Sequence, residues 1–187
     1  MDVDKAIHTR RSIREFAHKK IKWADVLEVI DAANQAPFAG NINNLKFIII
    51  SEQDKLNQIA EDSQQFWVSD ASYILIVCAD TKKLEKTYDE VGRVYSKQQV
   101  GAAIQNMLIK ITDLKLAGCW IGAFAEDQIK NQFKIPEEQD IEALIAIGYP
   151  SHKRPKEVRK VALENQVYWE KWGVGKKPRL FQEPSTR

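Results

Sequence analysis

Hydrophobic positions along the chain follow two alternating rhythms. One is the three-to-four spacing of helices, and the other is the short unbroken apolar run of buried strands. DVDKAIHTRRS reads as a short helix ending near Arg10. WADVLEVIDAANQA repeats apolar residues at Val26, Leu27, Ile30 and Ala33, a second helix that Pro37 and Gly40 bring to a stop. KFIII is a short β-branched strand, EQDKLNQIAEDSQQF is polar and helix-prone, and SYILIVCAD is a second, buried strand. The longest helix is predicted over Val94 to Leu116, where Val100, Ile104, Met107, Ile111 and Leu114 form one stripe and Gly118 supplies the stop. Ala102, Ala103 and Ile109 widen that stripe, so this helix is expected at the centre of the fold, at a subunit interface, or at both. CWIGAF is a third strand, EDQIKNQF a short helix, and IEALIAIGYP a fourth strand.

From Ser151 the character changes. KRPKEVRK is basic, Tyr168, Trp169 and Trp172 are aromatic, and no periodicity follows. Such a tail either frays in solvent or lies across another surface, and clustered aromatics favour the second.

The composition fits one globular domain over residues 1–187, with 151–187 as its tail: 44% of the residues are hydrophobic and 29% charged, enough to bury a sizeable core. Lysine plus arginine number 28 against 26 acids, so a net charge of +2 provides no general field for nucleic acid or anionic membrane, and any anion site must be local. No apolar run approaches the roughly 20 residues of a membrane span, and the N-terminal MDVDKAIHTRR lacks the apolar centre of a secretory signal, so a cytoplasmic protein is expected. Cys78 and Cys119 sit in separate apolar runs and are expected as buried free thiols. His8, His18 and His152 show no ligand spacing, which predicts no metal site.

Three segments carry candidate chemistry. RRSIREF gathers Arg10, Arg11 and Arg14 around Ser12. Ser12 to Glu15 matches a capping box, which would explain the serine and the glutamate but not the arginines. An extended course would instead turn residues 10, 12 and 14 to one side, where a single anion could meet them. APFAGNINNLKF reads as a helix-to-strand loop whose Gly and Asn serve turn geometry, or as a recognition loop whose asparagine amides match the edge of a heterocycle. GCWIGAFAED ends a strand in Gly122 and Ala123, small residues that serve packing or let a ligand approach backbone N–H groups.

The order RRSIREF, APFAGNINN, LAGCWIGAF, ALIAIGYP and then a basic, aromatic tail resembles the FMN-dependent nitroreductase family from about Ala6 to Trp172. The resemblance implies an α+β homodimer with a mixed central sheet flanked by helices, and two FMN sites at the subunit interface. It implies that Arg10 and Ser12, with Arg11 adjacent, bind the phosphate and ribityl side, and that Arg14 reaches the pyrimidine edge. Arg159 and Lys160 would complete the phosphate site, with Lys156 as a substitute in another register. Pro37, Phe38, Ala39 and Asn41 would come from the partner subunit, Gly122 and Ala123 would face flavin N5 and O4, and Gln64 would meet the pyrimidine ring.

The chain departs from the family pattern at Phe38, where many members have serine, and at Asn43, Asn44 and Leu45, where many have Gln-Pro-Trp. TKKLEKTYDEVGRVYS occupies a variable lid region, so Tyr88, Arg93 and Tyr95 either face substrate or belong to an ordinary amphipathic surface. The resemblance implies ping-pong hydride transfer from NADH or NADPH through the flavin to a nitroaromatic, quinone or flavin acceptor, with no side chain as nucleophile. The absence of GxGxxG argues for a visiting nicotinamide over a tightly held one. Two alternatives stand beside this: another flavin reaction on the same fold (dehalogenation, flavin fragmentation or azoline oxidation), and a non-enzymatic module binding RNA or an acidic partner through its arginines.

Overall fold

The computed structural model describes residues 2–151 and 160–175. Residues 1–155 and 156–187 form two compact units. The first contains, in order, α1 (Val3–Thr9), β1 (Phe16–Ala17), α2 (Trp23–Asn34), β2 (Leu45–Ile50), α3 (Gln53–Asp62), β3 (Tyr73–Ala79), α4 (Thr81–Tyr88), α5 (Val91–Asp113), β4 (Ala117–Ile121), α6 (Glu126–Phe133) and β5 (Asp140–Pro150), with 3-10 turns at Ala39–Asn41 and Phe66–Asp70.

β5 is the spine of the sheet. One edge pairs with β3, which pairs in turn with β2, while the other edge pairs first with β4 and then, at Tyr149 and Pro150, with β1. All of these pairs are antiparallel, where a mixed sheet was expected; the parallel pairing among the described residues is an isolated bridge between Ser12 and Gly118, outside the strands. β3 and β5 read as unbroken apolar runs because helices cover both faces. Leu75, Val77, Ile145 and Ile147 pack with Val29, Ala33, Val100, Ile104 and Met107 of α2 and α5. The alternate residues Ile74, Ile76, Leu144 and Ala146 pack with Leu56, Ile59 and Ile129 of α3 and α6.

On α2 the buried face is Val26, Val29 and Ala33, whereas Leu27 turns to solvent with 45% exposure. In α5 the predicted stripe is buried at Val100, Ile104, Met107 and Ile111, each worth roughly 1.5–3 kcal/mol of apolar burial. That gross gain outweighs the cost, about 0.5–1 kcal/mol each, of Gly92 and Gly101 inside the helix. Gly92 has a steric reason: a Cβ there would lie 2.5 Å from the Leu84 backbone, so its absence lets α4 and α5 cross closely.

The end of α5 differs from expectation. Gly118 does not stop it; Lys115 does, adopting φ 60°. The Lys115 N–H donates to the Thr112 carbonyl at 3.0 Å and the Leu116 N–H to the Ile111 carbonyl at 3.0 Å, a Schellman closure with Leu116 and Ile111 as its apolar pair. Gly118 is strand instead, and a Cβ there would lie 3.0 and 3.1 Å from the Ile111 side chain.

In the second unit, the Trp169 N–H donates to the Val174 carbonyl at 2.8 Å, and the Tyr168 and Trp172 rings meet at a tilt of 59° with centroids 4.8 Å apart. The aromatic run is therefore a local turn, with Glu170 and Gly173 in left-handed conformations.

Candidate functional site

The capping box does not form. No helix begins at Ser12; the segment from Arg10 to Glu15 runs without helix into β1. Two backbone contacts tie it to β4: the Ser12–Gly118 bridge and the Ile13 N–H donating to the Gly118 carbonyl at 3.0 Å. Arg10, Ser12 and Arg14 accordingly share a side. Their common neighbour is the buried Cys119 thiol, on whose ionisation all three bear. Burial pushes this thiol's pKa up, and those three residues pull against it.

The arginines divide into two kinds. Arg11 turns back on α1 and donates to the carbonyls of His8 at 2.7 Å and Arg10 at 2.8 Å, so it satisfies a helix end. Arg10 and Arg14 have no carboxylate partner among the described residues, and Arg14 lies over the Trp67 ring at 6.0 Å. Beneath Arg10 and Arg11 is a cavity of about 190 Å³, lined also by Leu108, Thr112 and Gly118.

Gly122 and Ala123 follow directly on β4 and are exposed. A Cβ on Gly122 would meet nothing within 4 Å, so the space over this backbone is open. The Ala125 N–H donates to the Asp62 carbonyl at 2.8 Å, pinning this loop to the end of α3. Gln64, two residues beyond Asp62, is exposed and left-handed at φ 52°, and Trp67 follows it. Arg10 and Ser12 thus lie beside the start of β4, at Gly118, whereas Gly122 and Ala123 follow its other end, where the Asp62–Ala125 bond brings in the loop that carries Gln64.

Pro37, Phe38, Ala39 and Asn41 are assembled elsewhere. Phe38 packs against the cluster on the α2 and α5 face of the sheet, whereas Ile13 and Trp67 pack on the opposite face. The loop is a tight turn: Gly40 at φ 56° and Asn41 at φ 58° are both left-handed. Its asparagines serve different ends. Asn41 takes the turn geometry, Asn43 accepts from the Leu45 N–H at 2.9 Å, and Asn44 is buried, donating to Ser96 Oγ at 2.9 Å.

Gln99 of α5, 4% exposed, is bound to this loop at three points. Its Oε1 accepts from the Ala39 N–H at 3.1 Å, and its Nε2 donates to the Ile42 carbonyl at 3.2 Å and to Asn44 Oδ1 at 2.6 Å. Sequence reasoning missed Gln99, Trp67 and the position of Cys119. A signal for Gln99 existed: Ser96 and Gln99 continue the spacing of Val100, Ala103 and Met107 towards the helix start, placing polar groups on an apolar face.

In the lid segment, Tyr88 and Tyr95 meet edge to face at 5.2 Å and Arg93 pairs with Glu85 at 3.1 Å, while Leu84 is fully buried. α4 is an amphipathic surface helix. Of the tail candidates, Lys160 is exposed, while Arg159 and Lys156 lie outside the described residues. No helix among the described residues is long and apolar enough to cross a membrane.

Comparison with known proteins agrees with this architecture. A protein of Methanothermobacter thermautotrophicus named for NADH dehydrogenase and NAD(P)H nitroreductase is 31% identical over 177 residues, covering 92% of this chain and 88% of that one. A crystal structure of a nitroreductase family protein from Clostridium novyi NT superposes with a TM-score of 0.74 at 26% identity, covering 93% of this chain and 96% of that one. An FMN-dependent nitroreductase from Clostridium difficile R20291 shares the fold with a TM-score of 0.76 at 19% identity, covering 89% and 98%. The model of the Nitroreductase family matches residues 7–149, and with that span of agreement the chain belongs to the Nitroreductase family.

Proposed function

We propose that this protein is an FMN-dependent oxidoreductase that takes reducing equivalents from NADH or NADPH and passes them to a small organic acceptor, a nitroaromatic, quinone or flavin. The observation that carries the reading is the row of Arg10, Ser12 and Arg14 on one side of an extended segment, two guanidinium groups without a carboxylate partner among the described residues. Neighbouring cations repel one another, a cost that solvent or an anion relieves, and planar guanidinium forks suit phosphate and an electron-rich ring edge. The residues present fit FMN: Arg10 and Ser12 would hold the phosphate and ribityl side. Arg14 and Gln64 would meet the pyrimidine edge, and the open backbone at Gly122 and Ala123 would approach the ring.

Flavin, when bound, supplies the hydride chemistry at N5. The protein contributes orientation of the donor above the ring and positive charge from Arg14, which favours the anionic reduced form over the oxidised one. Phe38, Pro37, Ala39 and Asn41 would complete the site from the second subunit of a homodimer. Their place on the opposite face of the sheet from Trp67 suits such a division between chains.

The name of the FMN-dependent relative supports the cofactor, and the name of the archaeal relative supports the nicotinamide donor. Purified protein is expected to be yellow or to become so on titration with FMN, and anaerobic NADH or NADPH should bleach the flavin bands. A protein that FMN cannot reconstitute defeats the reading; a reconstituted protein that neither nicotinamide bleaches limits it to another flavin reaction.

A further inference from the structure

We propose that Gln99 is a positioning residue for the flavin: its carboxamide sets the shape of the turn from Phe38 to Ile42 that is presented to the ring. The proposal rests on the flavin reading above and deepens it. The turn is a difficult one for the chain to hold. Gly40 and Asn41 are consecutively left-handed, and only two backbone bonds close it internally, Asn41 N–H to the Phe38 carbonyl and Ile42 N–H to the Ala39 carbonyl, both at 3.0 Å. A left-handed residue other than glycine costs roughly 1–2 kcal/mol, so the conformation needs support from outside.

Gln99 provides it by reading the backbone directly. Its oxygen takes the Ala39 N–H at one end of the turn and its nitrogen gives to the Ile42 carbonyl at the other, two groups of opposite polarity that fix which way the amide points. The remaining Nε2 proton goes to Asn44 Oδ1, and Asn44 Nδ2 donates to Ser96 Oγ and to the Asp80 carbonyl. Thr81 then continues the network from Ser96 to Asp140 at the start of β5. A buried, fully satisfied network of this kind makes one arrangement of the loop much better than its neighbours, because any shift strands a polar group away from water. α5 is rigid through its apolar stripe, so the turn inherits the precision of the core.

The test uses the full chain and FMN itself. Gln99→Met keeps the volume and removes every hydrogen bond; Ile104→Ala, on the same helix, opens a cavity in the core without touching the loop. Fluorescence titration is expected to show FMN bound about tenfold more weakly by Gln99→Met, as loss of the two of its three hydrogen bonds that hold the backbone of the turn implies. At saturation the visible circular dichroism of its bound flavin should differ in band shape from wild type. Ile104→Ala should melt at lower temperature yet keep FMN affinity within twofold and a wild-type spectrum. Should Gln99→Met fail to accumulate, Gln99→Glu, which keeps the acceptor for Ala39 but offers no donor to Ile42 when ionised, replaces it and is expected to weaken binding.

Wild-type affinity and spectrum in the Gln99 variant overturn the positioning role and leave the flavin site standing. Equal weakening by Ile104→Ala also overturns it, since the effect would then be general destabilisation. Wild-type protein that binds no FMN overturns the flavin reading itself, and the proposal with it.

Discussion

Ser12 and Gly118 are joined in a parallel bridge, and through it the arginine segment takes its position from β4. Gly118 also lies directly over Ile111, whose carbonyl accepts one of the two bonds that close α5. A single position therefore couples the end of the longest helix, the edge of the sheet and the cationic row. Gly118→Ala would place a methyl 3.0 and 3.1 Å from Ile111 carbons, tighter than packed atoms accept. We expect a loss of about 1–3 kcal/mol, the usual cost of overpacking a core. At roughly 2–4 °C per kcal/mol this is a melting point lower by about 2–12 °C in a thermal scan. Adding Ile111→Val, which removes the nearer carbon, should recover part of it.

Arg10 and Arg11 are neighbours with opposite duties, so their alanine variants should separate. Arg10→Ala is expected to weaken FMN binding by about 10- to 100-fold, matching the roughly 1.5–3 kcal/mol of a charge-assisted hydrogen bond. Arg11→Ala strips the carbonyls of His8 and Arg10 of a donor and should lower stability slightly while changing FMN affinity less than threefold. Equilibrium titration of both variants checks the pair. Equal losses would show that Arg11 leaves α1 to meet the phosphate.

The elements of this fold were legible where one physical signal dominated. Apolar periodicity located α2 and α5 and apolar runs located β2 to β5, because burial decides these segments, while α3 and α6 were read from polar, helix-prone stretches between strands. Three features were not. Two-residue β1 carries no pattern of its own and exists because β5 extends past β4 and offers Tyr149 and Pro150 as partners. Leu27 fits the spacing of α2 but not its buried arc, since spacing fixes a stripe's period and leaves its edges open. Lys115 ends α5 although lysine has no special liking for φ 60°; the two closing hydrogen bonds and the Leu116–Ile111 contact decide the matter. In the site, the one-sided row of Arg10, Ser12 and Arg14 followed from an extended course, whereas the choice between that course and a capping box depends on Gly118, more than 100 residues away.

Arg14 has an electronic duty in the proposed site, and its variants should report it in the flavin potential. Arg14→Ala is expected to lower the two-electron midpoint potential by about 30–60 mV, since roughly 30 mV corresponds to 1.4 kcal/mol for such a couple. Arg14→Lys should recover part of the shift by restoring charge without the fork. Spectroelectrochemical titration measures both. A potential unchanged in Arg14→Ala would reduce Arg14 to its contact with Trp67.

Gly40 is constrained twice, by a φ of 56° and by the Tyr88 hydroxyl, which would lie 2.5 Å from a Cβ placed there. Gly40→Ala should therefore destabilise the loop and weaken FMN binding, and the two causes can be separated. Tyr88→Phe removes the hydroxyl and leaves the nearest ring carbon at an ordinary 3.5 Å, so the double variant should regain the steric part and retain the backbone part, roughly 1 kcal/mol. A double-mutant cycle on stability measures the coupling. Simple additivity would mean that Tyr88 does not press on the loop.

The thiols make a prediction about alkaline stability. Burial raises the Cys78 pKa to about 11, with Lys130 pulling it down and Glu126 and Glu142 adding to the rise. In the unfolded chain an ordinary cysteine ionises near pH 8.5. Between those values the native protein binds more protons than the unfolded one at this position, and stability falls wherever that is so as pH rises. The contribution is present in full below about pH 8.5 and is lost as pH climbs towards 11. Urea midpoints measured at pH 8, 9 and 10 should fall in wild type, and the fall should be shallower in Cys78→Ala, which has no group to titrate there. Both Cys78 and Cys119 are buried and free, so neither should react with a thiol reagent at pH 8 until urea opens the core. Rapid labelling of Cys119 in the native state would show that the sheet edge beside Ser12 opens to solvent, and would move the arginine row from a fixed site to a mobile one.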